Sequence, residues 1–221
     1  MSRKGYGLWI AAVSTIVFLV GFCRGGRSRT AEVLGIEIAR PAADFTILSA
    51  KAQEAAYFVR THEFETRYCL LADMSMHSGV RRMFVWDFDK DTIVRAFLVS
   101  HGCGSKVWSW DLTKDKPVFS NQDGSHCSSI GKYKIGKRGY SQWGIHVKYT
   151  LHGLEASNSN ALGRAIVLHS WDEITDEEVF PDGTAEGWGC PAVSNSNMKY
   201  LDSCLIKSNR PVLLWMFAGR N

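Results

Sequence analysis

The chain has 221 residues, 45% of them hydrophobic and 12% aromatic, which suits one domain of ordinary core size plus a short accessory segment. Lysine and arginine outnumber aspartate and glutamate by 26 to 22, a scattered excess that gives no ground for nucleic-acid binding and at most a mild pull toward an anionic envelope. No internal repeat or low-complexity tract is present, which excludes solenoid and disordered classes.

Arg3 and Lys4 precede an uncharged apolar run from Leu8 to Cys23, and Arg24, Arg27 and Arg29 follow it. This is the layout of an export segment, spanning residues 1–29. The run is a little shorter than the roughly 20 residues that cross a bilayer comfortably, so length leaves signal peptide and signal anchor both open. Phe22 stands where a cleavage site, or a lipid-attachment site at Cys23, needs a small residue. The expectation is an uncleaved N-terminal transmembrane helix that holds the chain at the membrane, with its bulk in the cell envelope.

Thr30 to Ala43, with Pro41, reads as a linker, and Ser49 to His62 as a helix capped by Ser49; together they form a segment 30–66 ahead of a domain over 67–221. Tyr68–Met74, Arg82–Phe88 and Thr92–Ser100 are apolar, β-branched or aromatic runs, and Asp89-Lys90-Asp91 joins the last two as a hairpin. Short strands continue through Gly131 to Lys148, and Ala165–His169 suits a buried strand followed by an acidic loop from Asp172 to Glu178. Asn195–Lys207 places Met198, Leu201 and Leu205 at helical spacing, and Pro211–Phe217 closes the chain as a strand. The fold class is mainly β with a few helices, sandwich-like rather than alternating βαβ.

Two segments carry chemistry. Ala165-Ile-Val-Leu-His169-Ser170 ends a buried-looking strand in an imidazole and a small hydroxyl residue. In Glu186-Gly187-Trp188-Gly189-Cys190-Pro191-Ala192-Val193, the glycines at 187 and 189 let the backbone turn sharply before the thiol. A free thiol is mostly protonated near neutral pH, and an adjacent imidazole that forms a thiolate–imidazolium pair would activate it. Pro191 has no N–H, so donors for an oxyanion would come from Cys190, Gly189 or a neighbouring loop. Alone, a glycine-flanked cysteine with an upstream histidine is a weak signal, equally suited to a buried thiol and a hydrogen-bonded core imidazole.

Several further segments occur in a fixed order: Val99-Ser-His-Gly102, Phe119-Ser-Asn121, Ser128-Ser-Ile-Gly-Lys-Tyr133, Gly153-Leu-Glu155, Asn158 with Ala161 and Arg164, Ile166-Val-Leu-His169 and Trp188-Gly-Cys-Pro-Ala192. With them the chain from Tyr68 to Phe217 resembles the L,D-transpeptidase catalytic family, of YkuD-like fold, in a subgroup with Trp in the nucleophile motif. The resemblance implies that Cys190 is the nucleophile, His169 the general base, Ser170 the residue whose main chain orients the imidazole, and Gly189 part of the oxyanion hole. It also implies substrate contacts from Ser128, Ser129, Gly131 and Tyr133, from Trp188 and from Arg164, which would either grip a carboxylate or form a structural ion pair. The substrate would be peptidoglycan stem peptides, cleaved between a diamino acid and D-alanine, with the acyl group passed to an amine. The alternatives are passage to water, as in an L,D-carboxypeptidase, and a silent peptidoglycan-binding module. Most family members carry a second histidine two residues before the nucleophile, where this chain has Trp188; that ring would serve as an apolar wall or pack into the core, the second being the favoured role.

His101, His126, His146 and His152 form no metal-ligand spacing, and neither a metal nor another cofactor is expected. After Cys23 the cysteines number five: Cys69, Cys103, Cys127, Cys190 and Cys204. An exported domain would pair up to four and leave one thiol free. The resemblance brings the Cys103 and Cys127 loops to the cleft, making that pair the preferred bridge, with five reduced thiols as the alternative.

Overall fold

The computed structural model of the protein describes residues 38–105 and 117–219. The apolar run from Leu8 to Cys23 lies outside them; among the described residues no helix is long and apolar enough to cross a membrane.

Helix α1, Phe45–Thr61, starts earlier than the expected Ser49 cap, because Asp44 takes that role: its side chain accepts from Thr46 N and Ile47 N at 2.9 and 3.3 Å. Leu48, Lys51, Ala52, Ala55 and Val59 form its buried stripe. Strands β1 (Tyr68–Asp73), β2 (Met83–Asp87) and β3 (Thr92–Phe97) form a meander. β4 (Gly131–Tyr140) and β5 (Val147–Gly153) form a second hairpin, followed by β6 (Val167–Ser170), β7 (Ala192–Val193), helix α2 (Asn195–Leu205) and β8 (Leu213–Phe217). Helix α2 matches the expected spacing: Ser194 caps it, and Met198, Leu201 and Leu205 are buried.

The expected sandwich is instead one mixed sheet among the described residues, in the order β3-β2-β1-β8-β4-β5-β6-β7. The reason lies in the central strands. Cys69–Ala72 of β1 and all of β8 are apolar without interruption and buried on both faces, so each face requires its own cover. Leu70, Ala72, Leu214 and Met216 join a core closed by Met198, Leu201 and Leu205 of α2. Cys69, Leu71, Leu213, Trp215 and Phe217 meet Leu48, Ala52, Ala55 and Val59 of α1 on the opposite face. Helices therefore replace the second sheet.

β5 behaves differently. Val147, Tyr149 and Leu151 enter the α2-side core, while Lys148, Thr150 and His152 are half-exposed on the face that α1 shares. The turn after β5 is fixed by Asn158, which is fully buried: its Nδ2 donates to Lys132 O at 2.8 Å and its Oδ1 accepts from Glu155 N at 2.9 Å. Asn158→Ala leaves a partly buried carbonyl and a partly buried N–H without these partners, and should lower stability by about 2 kcal/mol, read as a fall in the urea midpoint at unchanged slope.

Candidate active site

β6 places His169 between two neighbours, Lys148 on β5 and Ala192 on β7. The imidazole Nδ1 lies 2.9 Å from Ser170 O. A carbonyl only accepts, so Nδ1 carries the proton and Nε2 is left as the acceptor. The Ser170 hydroxyl accepts from Ile145 N at 2.9 Å, which ties the β4–β5 hairpin tip to the same residue. Gly144 permits that approach: its φ is +56°, and an added Cβ would lie 2.1 Å from Ser170 Oγ.

The segment leading to Cys190 is clamped on both sides. Gly187 N donates to His101 O, and Gly187 O accepts from Cys103 N, each at 2.9 Å. Buried Arg82 donates to Val99 O, Met76 O and His101 Nδ1. Because a guanidinium only donates, His101 keeps its proton on Nε2, which lies 3.1 Å from Glu186 Oε1. Gly189 adopts φ +101°, and a Cβ there would fall 2.4 Å from Cys127 O, so only glycine fits. Ser128 Oγ bridges Gly102 N and Gly189 O. Ser100 brackets the thiol residue, its hydroxyl donating to Cys190 O at 3.2 Å and accepting from Ala192 N at 3.0 Å. Among the described residues no group accepts from the N–H of Trp188, Gly189 or Cys190.

Cys190 and His169 line one cavity of about 380 Å³ with Ser100, Trp143, Trp171, Gly187, Trp188 and Ala192. The Cys190 sulfur accepts from Val167 N at 3.4 Å and faces Ala165 O at 3.8 Å, so the thiol rests against the edge of β6 rather than in a hydrogen bond with the imidazole. Trp143 meets Trp171 edge-on at 6.1 Å. Trp188 is 62% exposed and stacks on His126 at 4.7 Å, which makes it a wall of the cleft and corrects the expectation of core packing.

The other expected contact residues are scaffold. Ser129 and Tyr133 are buried and hydrogen-bonded to each other. Gly131 lies under the 155–158 turn, where a Cβ would approach Asn158 Nδ2 to 2.7 Å. Ser128 is buried beneath Gly189. Arg164 spends its guanidinium on Ser120 O and Cys127 O, at 2.9 and 2.6 Å, bracing the loop under Gly189 rather than forming an ion pair. Cys103 and Cys127 stay as buried thiols directed at Gly104 O and Ser125 O, and no disulfide joins the described cysteines. The residue types and spacing alone assign no role to Ser100 or to the Arg82–His101–Glu186 cluster. Val99-Ser-His-Gly102 was the one available signal for two of them.

Burial pushes the Cys190 thiol up, against smaller opposing contributions from Val167 N–H, Arg164 and Lys148. Burial also holds His169 below the ordinary imidazole value, with the Ser170 carbonyl opposing and Lys148 reinforcing the drop. Both shifts favour the neutral forms, so the resting pair is thiol and imidazole rather than the thiolate–imidazolium pair anticipated from sequence. Alkylation of Cys190 in the free protein should therefore climb through the alkaline range, without a reactive plateau between about pH 5 and 7; such a plateau would reveal an ion pair. Gly189→Ala should displace the elbow and abolish Cys190-dependent turnover, while a circular dichroism spectrum near that of the parent would show the sheet intact.

A family model for the L,D-transpeptidase catalytic domain matches residues 39–215. Among solved structures, the chain is similar to the helical cell shape determining protein Pgp2 from Campylobacter jejuni, at 12% identity and TM-score 0.43, over 70% of this chain and 48% of that one. It is also similar to an L,D-transpeptidase from Xylanimonas cellulosilytica DSM 15894, at 11% identity and TM-score 0.41, over 87% of this chain and 70% of that one. The chain thus spans about half the length of the Campylobacter structure. Comparison with curated proteins gave no match. With the family model extending from the residues before α1 into β8, the chain belongs to the L,D-transpeptidase catalytic domain family.

Proposed function

We propose that the protein is a peptidoglycan L,D-transpeptidase in which Cys190 is the nucleophile and His169 the general base. One observation carries the reading: a thiol on a glycine elbow shares a cavity with an imidazole whose tautomer a backbone carbonyl fixes. The sulfur turns from the β6 edge toward His169 and attacks the carbonyl of the diamino acid, and its proton passes to Nε2. The oxyanion takes the N–H groups of Gly189 and Cys190, which no described residue uses. His169 then protonates the departing amine of D-alanine, leaving a thioester on Cys190. An incoming amine, deprotonated by His169, attacks the thioester, forms the new amide and releases the thiolate, which recovers its proton.

Trp143, Trp171 and Trp188 wall the cavity with apolar surface that limits water near the thioester, favouring transfer to an amine over hydrolysis. The basic-flanked run from Leu8 to Cys23 would hold the domain at the outer face of the membrane. Incubation with purified muropeptides and mass analysis tests the assignment. Cross-linked or amine-exchanged products support transfer, shortened monomers alone would replace it with a carboxypeptidase, and unchanged muropeptides would remove both. Cys190→Ala should lower turnover by about four orders of magnitude or more with the fold retained.

A further inference from the structure

The sheet face that carries His169 continues beyond the cavity as an open strip. Helix α1 packs on this face through residues of β1, β2 and β8. Over β4, β5 and β6 the register sets Gly139, Lys148 and His169 in one row and Lys134 with His152 in another, with Thr150 and Val167 between. Apart from buried His169, these residues are half-exposed. The β4 side of the floor has few side chains, because Gly136 and Gly139 flank the register shift between Ile135 and Arg138. At Gly136 a Cβ would lie 2.6 Å from both Thr150 Oγ1 and His152 Nε2; at Gly139 the nearest atoms are those of the Lys148 stem, at 3.9 and 4.0 Å.

Among the described residues the strip is cationic and carries no carboxylate. The ammonium groups of Lys134, Lys137 and Lys148 form no ion pair or hydrogen bond among the described residues, whereas neighbouring Lys132 is paired with Glu155 at 2.9 Å. Lys148 also acts electrostatically on both His169 and Cys190, which puts its charge beside the reacting groups. By contrast, the apolar cavity has no lysine or arginine among the described residues that line it. Among the described residues, the strip rather than the cavity lining offers counter-charges to a carboxylate-bearing chain.

We propose that this strip binds the acidic peptide on the acyl side of the scissile bond, laid across β5 and β4 with carboxylates at Lys148 and Lys134. The inference rests on the assignment of Cys190 and His169 above. Lys148 and His152 are four residues apart on one strand, roughly 13 Å at about 3.3 Å per residue, so a ligand touching both rows spans about four extended residues. The leaving amine and the incoming acceptor then use the tryptophan-walled cavity. Lys148 and Lys134 are positioning residues that set KM by holding the donor, and the low side-chain content of the floor lets its backbone lie flat on the sheet.

The test compares an acidic donor peptide with the same peptide amidated at the carboxylates on the acyl side of the scissile bond. Amidation should raise KM about tenfold with kcat little changed, the size expected for two partly exposed charge pairs. K134A combined with K148M should erase the difference between the two donors, and K148R should keep it. Gly139→Glu, which places a carboxylate against Lys148 where the backbone has room, should raise KM for the acidic donor only. Equal KM values for the two donors with the parent enzyme would overturn the strip while leaving the transpeptidase assignment standing. If no muropeptide is turned over, that assignment fails, and calorimetric titration of Cys190→Ala with the acidic peptide still decides the strip. Binding that weakens with salt and disappears in the K134A/K148M background upholds it; absent or unaffected binding overturns it.

Discussion

The parallel pairing of β6 with β7 is the constraint on which the site depends. It sets Ala192 opposite His169, so the segment that carries Cys190 and the strand that carries His169 share one hydrogen-bonded ladder. Cys190 stands two residues before that pair and reaches back to Val167 N, two residues before His169. A displacement of either strand would shift both reactive groups together. Ser100 extends the ladder on its other side, exchanging Ser100 N→Ala192 O at 2.9 Å and Ala192 N→Ser100 Oγ at 3.0 Å. Two strand residues make β7 short. Neighbours on both sides give it the rigidity that its length does not.

The electrostatics follow from that placement. A thiol packed along a strand edge loses water, and so does the imidazole beneath it; both therefore favour neutrality. The tryptophan walls extend the same low-polarity environment outward. On the proposed mechanism, charge would be created only during the reaction, next to the main-chain N–H groups of the glycine elbow. Lys148 favours a thiolate at Cys190 but disfavours a protonated imidazole at His169, so one nearby cation acts on the two groups in opposite senses for a proton passing between them.

Most of the architecture was legible because strand and helix periods are local properties. The three strands of the meander, the turn that joins β2 to β3, and α2 are legible from apolar runs, turn residues and i, i+3 and i+7 spacing, whereas the β4–β5 region is legible only as short strands. The start of α1 was misplaced because a side chain two or three residues away decides a cap, and Asp44 competed with Ser49 for it. One sheet rather than two was not legible, since an unbroken apolar run says that both faces are buried but not by what. The same limit explains the site. Cys190 and His169 stood out by residue type and by resemblance, whereas Ser128, Ser129 and Tyr133 lie in a recognisable segment whose side chains point into the scaffold. Trp188 failed in the opposite sense, because hydrophobicity alone predicts burial and His126 gives the ring a stacking partner at the surface.

Arg82, His101 and Glu186 show what holds the elbow in its strained form. Burial pulls the guanidinium of Arg82 down to about 9, which still leaves it cationic at neutral pH. A buried charge is costly unless its hydrogen bonds are made, and Arg82 makes them to two main-chain carbonyls and to His101. One of those carbonyls, Val99 O, lies directly before Ser100, and Glu186 lies directly before the elbow. The network thus joins the strand that brackets Cys190 to the segment that delivers it, at the two points where each enters the site. A hydrophobic replacement of similar volume would fill the same space, but it would leave the His101 ring without the donor that fixes its tautomer. The positive φ of Gly189 is supported from both directions: by Ser128 beneath its carbonyl, and by a charged cluster in which Arg82 grips two main-chain carbonyls and His101 lies 3.1 Å from Glu186.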